Sequence, residues 1–274
     1  MIRPATPEDR PTIAALIARA PQHAMFMAVE HARGRGGFWL SGDPPSGVVQ
    51  LSSQDFFLTL APGLSDDDWA TLRHRLRGRP CHGVNGRPDC VAPALAGLGI
   101  DRHPATLDRV EPLFTLDLST LVLPEGTSTL RPLTGDDLPA LVPWRAAYLN
   151  ETMADILGDR AARAAEGQLR RLIAEDNARV LEEDGVPVAI CAFNAVLPDR
   201  VQVGGVYTPP ALRGRGHARR AVALHLAEAR DRGTTSAVLF AASARAAHAY
   251  GAIGFRPAGD YRLVFHADPV LLGS

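Results

Sequence analysis

Lysine is absent: all 29 basic side chains in the 274 residues are arginines. That excludes a lysine nucleophile and a lysine Schiff base from any mechanism, and such usage suits a GC-rich bacterial genome. Cysteine is scarce. Cys81, Cys90 and Cys191 are an odd number spread over a long chain, which fits no disulfide framework and suits a reducing cytoplasm. Cys81, His82, Cys90 and His103 hold atoms that zinc takes, but two are adjacent and the other spacings match no structural zinc pattern, so no metal is expected. Net charge is nearly absent too, at −1, which leaves no global attraction for nucleic acid or anionic lipid. No apolar run reaches the roughly 20 residues that cross a bilayer, and Met1-Ile2-Arg3-Pro4 leads into helix signals rather than a secretory leader. A cytoplasmic protein without membrane or nucleic-acid partners is expected.

What is present is enough for a core, with 46% apolar and 22% charged residues, and a length that suits two modest domains. Ile2-Arg3-Pro4-Ala5-Thr6-Pro7-Glu8-Asp9-Arg10-Pro11 returns 128 residues later as Leu130-Arg131-Pro132-Leu133-Thr134-Gly135-Asp136-Asp137-Leu138-Pro139. Both copies read as a short strand, a cap, first-turn acids and an apolar helix face. A period that long points to duplication of a domain, not to a solenoid. Glu111 to Leu118 alternates like a strand and Leu123 to Ser128 reads as a linker, which divides the chain into residues 1–122 and 125–274.

The second half reads as two helices (136–149 and 160–173), a hairpin around Asp184-Gly185, a strand at 200–208, then helix, strand, helix and strand, the last at 261–266. That order predicts a mixed α+β sheet. The first half shows strands near 38–40, 47–51 and 56–60 and a helix at 66–77, with no chemical motif. Its Gly83 to Pro88 segment could turn a strand into a helix, but Pro88 and Asp89 stand where a phosphate loop needs free amides.

Chemistry concentrates in Val206-Tyr207-Thr208-Pro209-Pro210-Ala211-Leu212-Arg213-Gly214-Arg215-Gly216-His217-Ala218, which joins a strand to an amphipathic helix. A helix start offers unpaired N–H groups and partial positive charge. Gly214 and Gly216 remove side chains where a phosphate would approach, and Arg213 and Arg215 add charge. The dinucleotide fingerprint fails for want of a third glycine, and no Gly-Lys-Ser/Thr sequence supplies a P-loop. Four arginines at 213–220 without interleaved aromatics do not make a nucleic-acid patch.

These residues resemble the GNAT family of acetyl-CoA-dependent N-acetyltransferases. Its Arg/Gln-x-x-Gly-x-Gly/Ala signature matches Arg213-x-x-Gly216-x-Ala218, and its Tyr-x-x-x-Gly-Phe signature matches Tyr250 to Phe255. The resemblance covers about residues 125–274. With the repeat it implies two tandem GNAT-like domains, the first a degenerate copy. It further implies acetyl-CoA as acetyl donor, with Val206, Tyr207 and Thr208 along a splayed, bulged strand, and Arg213 to Ala218, His217 included, around the pyrophosphate. Tyr250 takes the family's general-acid position. Ser243 replaces the asparagine that commonly precedes it by seven residues, and can instead cap the next helix. The expected reaction is direct acetyl transfer to a small-molecule or peptide amine, since no cysteine lies in the signatures. The alternative is a non-catalytic acyl-CoA binder or sensor. Trp144, Tyr148 and Glu151 share a helix face, which makes Glu151 the first candidate for the base. The first half is left to close an acceptor cleft, mediate a homodimer or shield an exposed face.

Overall fold

The computed structural model describes residues 1–61, 63–157 and 161–273. Along the first half run β1 (Arg3–Pro4), α1 (Arg10–Ala18), α2 (Met25–Ala32), β2 (Gly37–Ser41), β3 (Gly47–Leu51), β4 (Phe56–Thr59), α3 (Asp66–Arg75), β5 (Pro80–Gly86), α4 (Pro88–Leu98) and β6 (Leu107–Asp117). The second half has β7 (Thr129–Pro132), α5 (Leu138–Leu157), α6 (Ala161–Ala174), β8 (Ala178–Glu183), β9 (Val186–Val196), β10 (Arg200–Tyr207), α7 (His217–Asp231), β11 (Ser236–Phe240), α8 (Ala244–Gly251) and β12 (Arg256–Leu271). The same succession of strands and helices thus occurs twice, each time with a 3-10 turn between the first strand and the first helix.

That turn is built alike in both copies. Arg3 pairs with Asp9 at 2.6 and 2.7 Å, and Arg131 with Asp137 at 2.8 and 2.7 Å. The Thr6 and Thr134 amides each donate to the matching aspartate at 2.8 Å. The aspartate satisfies amides that a helix start leaves without partners.

By contacts the chain forms two compact units, Met1–Glu111 with Asp260–Ser274, and Pro112–Gly259. In the first the strands run β1-β2-β3-β4-β5-β12, with β4 and β5 parallel and β5 antiparallel to the Arg262–Leu271 part of β12. In the second they run β7-β8-β9-β10-β11-β6, with β10 and β11 parallel and β11 antiparallel to Leu113–Asp117. Each is a mixed, mainly antiparallel sheet. The last strand of each sheet is supplied by sequence from the other half.

Helices cover each sheet because their apolar faces need a partner. In the first unit Trp69 and Leu72 of α3 and Val91 and Ala94 of α4 pack with Phe57, Val84 and Val264. In the second, Ala221, Val222 and Leu226 of α7 pack with Leu181, Phe193, Val203 and Leu239. Phe114, Leu116 and Leu118 belong to that second core.

Several elements differ from the sequence expectation, among them β12, which runs Arg256–Leu271 where 261–266 is expected. α5 passes the expected end at Leu149 and continues to Leu157, because no capping glycine stops it at Leu149. The expected start of the next helix, Arg160, lies outside the described residues. α2 is not announced by the sequence, because no side chain caps its start. α4 does begin at Pro88, with Asp89 in its first turn, so the residues that spoke against a phosphate loop are ordinary helix-start residues.

Candidate active site

The parallel ladder of β10 on β11 runs from Arg200↔Ser236 to Val203↔Leu239 and stops. Gly204 to Tyr207 continue along β9 only, with a register shift between Gly204 and Tyr207. The two central strands therefore part at this point, and one edge of β10 is left for another extended chain. The bulge needs its glycines. Gly205 has φ of +60°, and a β-carbon on Gly204 would collide with the Asn194 amide. Val206 packs on the unit core, and Tyr207 and Thr208 are buried.

After β10, a 3-10 turn at Pro210–Leu212 leads to Gly214 and Gly216, both left-handed, at φ +87° and +85°. α7 starts with Gly216 as its cap, no side-chain capping bond and no acid in its first turn. The amides at this end are thus available to an anion, and the helix dipole favours one. The Thr208 Oγ1, His217 Nε2 and Arg219 Nε atoms are buried here without a protein partner. Buried polar atoms normally have partners, so these fit a site made for a polar ligand. His217 is buried, with Nδ1 3.4 Å from Glu183. Ala218, half-buried on α7, presents only a methyl group.

The arginines divide into distinct tasks. Arg213 turns back on the end of β10: Nε donates to the Thr208 carbonyl at 2.9 Å and Nη2 to both Glu151 oxygens at 2.7 and 2.9 Å. Its guanidinium carbon lies 5.4 Å from the Tyr207 ring centre. Arg220 holds the preceding linker through the carbonyls of Pro124, Gly126 and Ser128. Arg215 remains exposed beside the two glycines. Sequence reasoning missed Arg245, whose Nη2 lies 3.4 Å from where a Gly214 β-carbon would be. No local signal in α8 announces that approach.

Of the three α5 residues expected on one face, Trp144 and Tyr148 pack against the same core cluster, and Glu151 pairs with Arg213. Trp144 lies 6.4 Å from the Tyr207 ring, and Glu151 reaches the same strand end through Arg213. Tyr250, on α8, packs against the unit core and meets Phe255 edge-on at 6.1 Å. Burial, with Tyr148 adding to it, pushes the Tyr250 phenol above its ordinary value, so it stays protonated at neutral pH. Ser243 caps α8, its Oγ accepting from the Ala246 amide at 3.2 Å. All three cysteines are free and buried. Burial pushes the Cys81 thiol up to about 11 and Cys90 up to about 12, and raises Cys191 as well. None is poised as a thiolate nucleophile.

Residues 143–255 match the family model described as Acetyltransferase (GNAT) family. This segment is similar to the GNAT acetyltransferase family. The matched segment contains the strand divergence, the α7 start and Tyr250. A GCN5-related N-acetyltransferase from Kribbella flavida is 19% identical, with a TM-score of 0.55 over 80% of this chain and 86% of its own. An acetyltransferase from GNAT family from Colwellia psychrerythraea is 13% identical, with a TM-score of 0.56 over 97% and 100%. A GCN5-related N-acetyltransferase-like protein from Streptococcus suis is 16% identical, with a TM-score of 0.56 over 95% and 99%. At these identities the likeness is one of fold. No curated protein matches the chain. Among the described residues, no helix is long and apolar enough to cross a membrane.

Proposed function

We propose that the chain is an acyl-CoA-dependent N-acyltransferase that moves an acetyl group from acetyl-CoA directly to an amine. One observation carries the reading: β10 leaves β11 ahead of a glycine-capped helix start that has no side-chain capping bond. Val206, Tyr207 and Thr208 hold the extended, amide-bearing arm of the donor. The amides of Gly214, Arg215, Gly216, His217 and Ala218 take its pyrophosphate, with Arg215 and Arg245 adding charge. Arg213 braces this strand end, and Ser243 acts as the α8 cap beside it. Acetyl-CoA supplies an activated acyl group on a good leaving thiol. Backbone N–H groups of the bulged strand offset charge that develops on the carbonyl oxygen. Tyr250 donates a proton to the departing sulfur, for which a protonated phenol is suited. Glu151 accepts the amine proton; Arg213 occupies two of its lone-pair sites and leaves others open. Burial of the three thiols favours direct transfer over an acetyl-cysteine route.

The repeated element order, the twin Arg–Asp turns and the likeness of whole chains support a tandem arrangement in which residues 1–122 descend from the same fold as 125–274. The first copy lacks the chemistry and serves as scaffold. Thiol release from acetyl-CoA over a panel of amines tests the activity, and calorimetry tests donor binding. Binding with no release for any amine would replace the enzyme by an acyl-CoA sensor. No binding would end both readings.

A further inference from the structure

Arg145, on α5, is 8% exposed. Its Nε donates to Gln168 Oε1 at 2.8 Å, and its guanidinium carbon lies 4.8 Å from the Tyr148 ring centre. Nη1 is buried without a partner and lies against Gly205, where a β-carbon would collide with it. No carboxylate among the described residues pairs with Arg145; Tyr148 and Arg171 are the charged or titratable groups that act on it.

Another buried arginine of the same unit is built differently. Arg179, 2% exposed, has Asp176 and Glu228 each at 2.7 Å. A buried charge without a counter-ion is costly, and a purely structural guanidinium is expected to be paired as Arg179 is. Glu151, a carboxylate of the same helix, is already bound to Arg213. The missing anion must come from outside the described protein groups. Gly205 directly precedes Val206, at which the proposed reading places the acyl donor, so Arg145 stands beside the place where an acceptor must arrive.

We propose that the acceptor is an amine that also carries a carboxylate, and that Arg145 binds the carboxylate and sets the amine toward the acyl carbon. This rests on the acyltransferase reading for its reaction but not for its binding. Guanidinium matches carboxylate as a planar, charge-assisted pair. Ammonium on the same molecule loses its proton more readily beside a fixed cation, which aids attack.

The full chain is assayed with a panel of free amino acids, each against its primary amide. At least one acid is expected to exceed its amide about a hundredfold in kcat/KM. Arg145→Gln should bring that ratio near one through KM, with acetyl-CoA affinity by calorimetry unchanged, and Arg145→Lys should keep part of the preference. Equal use of every acid and amide by the unaltered protein overturns the proposal, whether or not the variants fold. So does an unchanged ratio in folded Arg145→Gln. Calorimetry of acid against amide on CoA-saturated protein reads the same preference without turnover. Preferential acid binding without thiol release would keep the Arg145 assignment and remove the enzymatic reading. Equal binding would overturn the assignment.

Discussion

α3 and α7, the helices that follow β4 and β10, begin in opposite ways. Ser65 caps α3 by accepting from the Asp68 amide at 3.2 Å, while Asp68 accepts from the Ser65 amide at 3.3 Å. Asp66, Asp67 and Asp68 fill the first turn, and Asp68 also accepts from the Ile2 amide. The Ser65 and Asp68 amides of that helix end are satisfied from within and its dipole is met by fixed negative charge, which opposes a phosphate there. α7 has a glycine cap, no acid and flanking arginines. The ends of α4 and α8 repeat the lesson. Ile100 N–H donates to the Leu95 carbonyl at 3.0 Å and Phe255 N–H to the Tyr250 carbonyl at 3.2 Å, and Ile100 and Phe255 are both buried. Leu95 thus stands where Tyr250 stands, and a leucine has no proton to donate. In the proposed reading a few residues give one scaffold its chemistry and withhold it from the other, which is how function commonly sits on a fold.

The severest way to break this comparison is to separate the halves. Residues 125–274 alone lack Leu113, Phe114, Leu116 and Leu118, all buried in the second unit. Truncating one such side chain costs about 2–5 kcal/mol, and four together exceed most of the roughly 5–15 kcal/mol that holds a domain. The fragment is expected to lose cooperative thermal unfolding by circular dichroism; a full-length-like transition would show that strand to be dispensable. Next, Tyr250→Phe should lower turnover by about 10²–10⁴ while acetyl-CoA affinity stays, and Leu95→Tyr should restore none of it. Retained turnover would remove the proton-donor role. Arg219→Asp places at the third position of α7 the acid that α3 has there in Asp68. Acetyl-CoA affinity should fall about tenfold at low salt and less at high salt, and calorimetry at two ionic strengths decides it.

The smallest effect concerns the matched helix starts. Arg131 holds the Asp137 carboxyl below its usual range, with the Thr134 amide adding to this. The folded state then binds the Asp137 proton more weakly than the unfolded chain does. Its stabilisation is present at neutral pH and is lost as pH falls below about 4 through the lowered value. Asp137→Asn should cost about 1 kcal/mol in urea unfolding at pH 7 and little at pH 3. An equal loss at both values would show that the carboxylate charge is not what matters.

Much of the site was legible because its signals are local. The glycines at 214 and 216, the cap at Ser243 and the spacing of Tyr250 from Phe255 depend only on residues near them in sequence. The Ser65-x-x-Asp68 box is equally local, and it bears on the proposed silence of the first half more directly than Pro88 and Asp89 do. Arg213 was placed near the turn by sequence, but its pairing with Glu151 depends on α5 reaching the end of β10. Arg145 and Arg245 give no sequence sign of their settings, since a missing counter-ion or a nearby backbone is a property of neighbours distant along the chain.

Amino-acid order alone thus settled helix starts, turns, strand alternation and the duplicated Arg–Asp motif, because each arises from hydrogen bonds and side-chain periods within a few residues. Assembly decided that β11 is completed by Leu113–Asp117 and β5 by Arg262–Leu271. Strand pairing is a long-range choice, made by burying apolar faces together, and neither partner's sequence names the other.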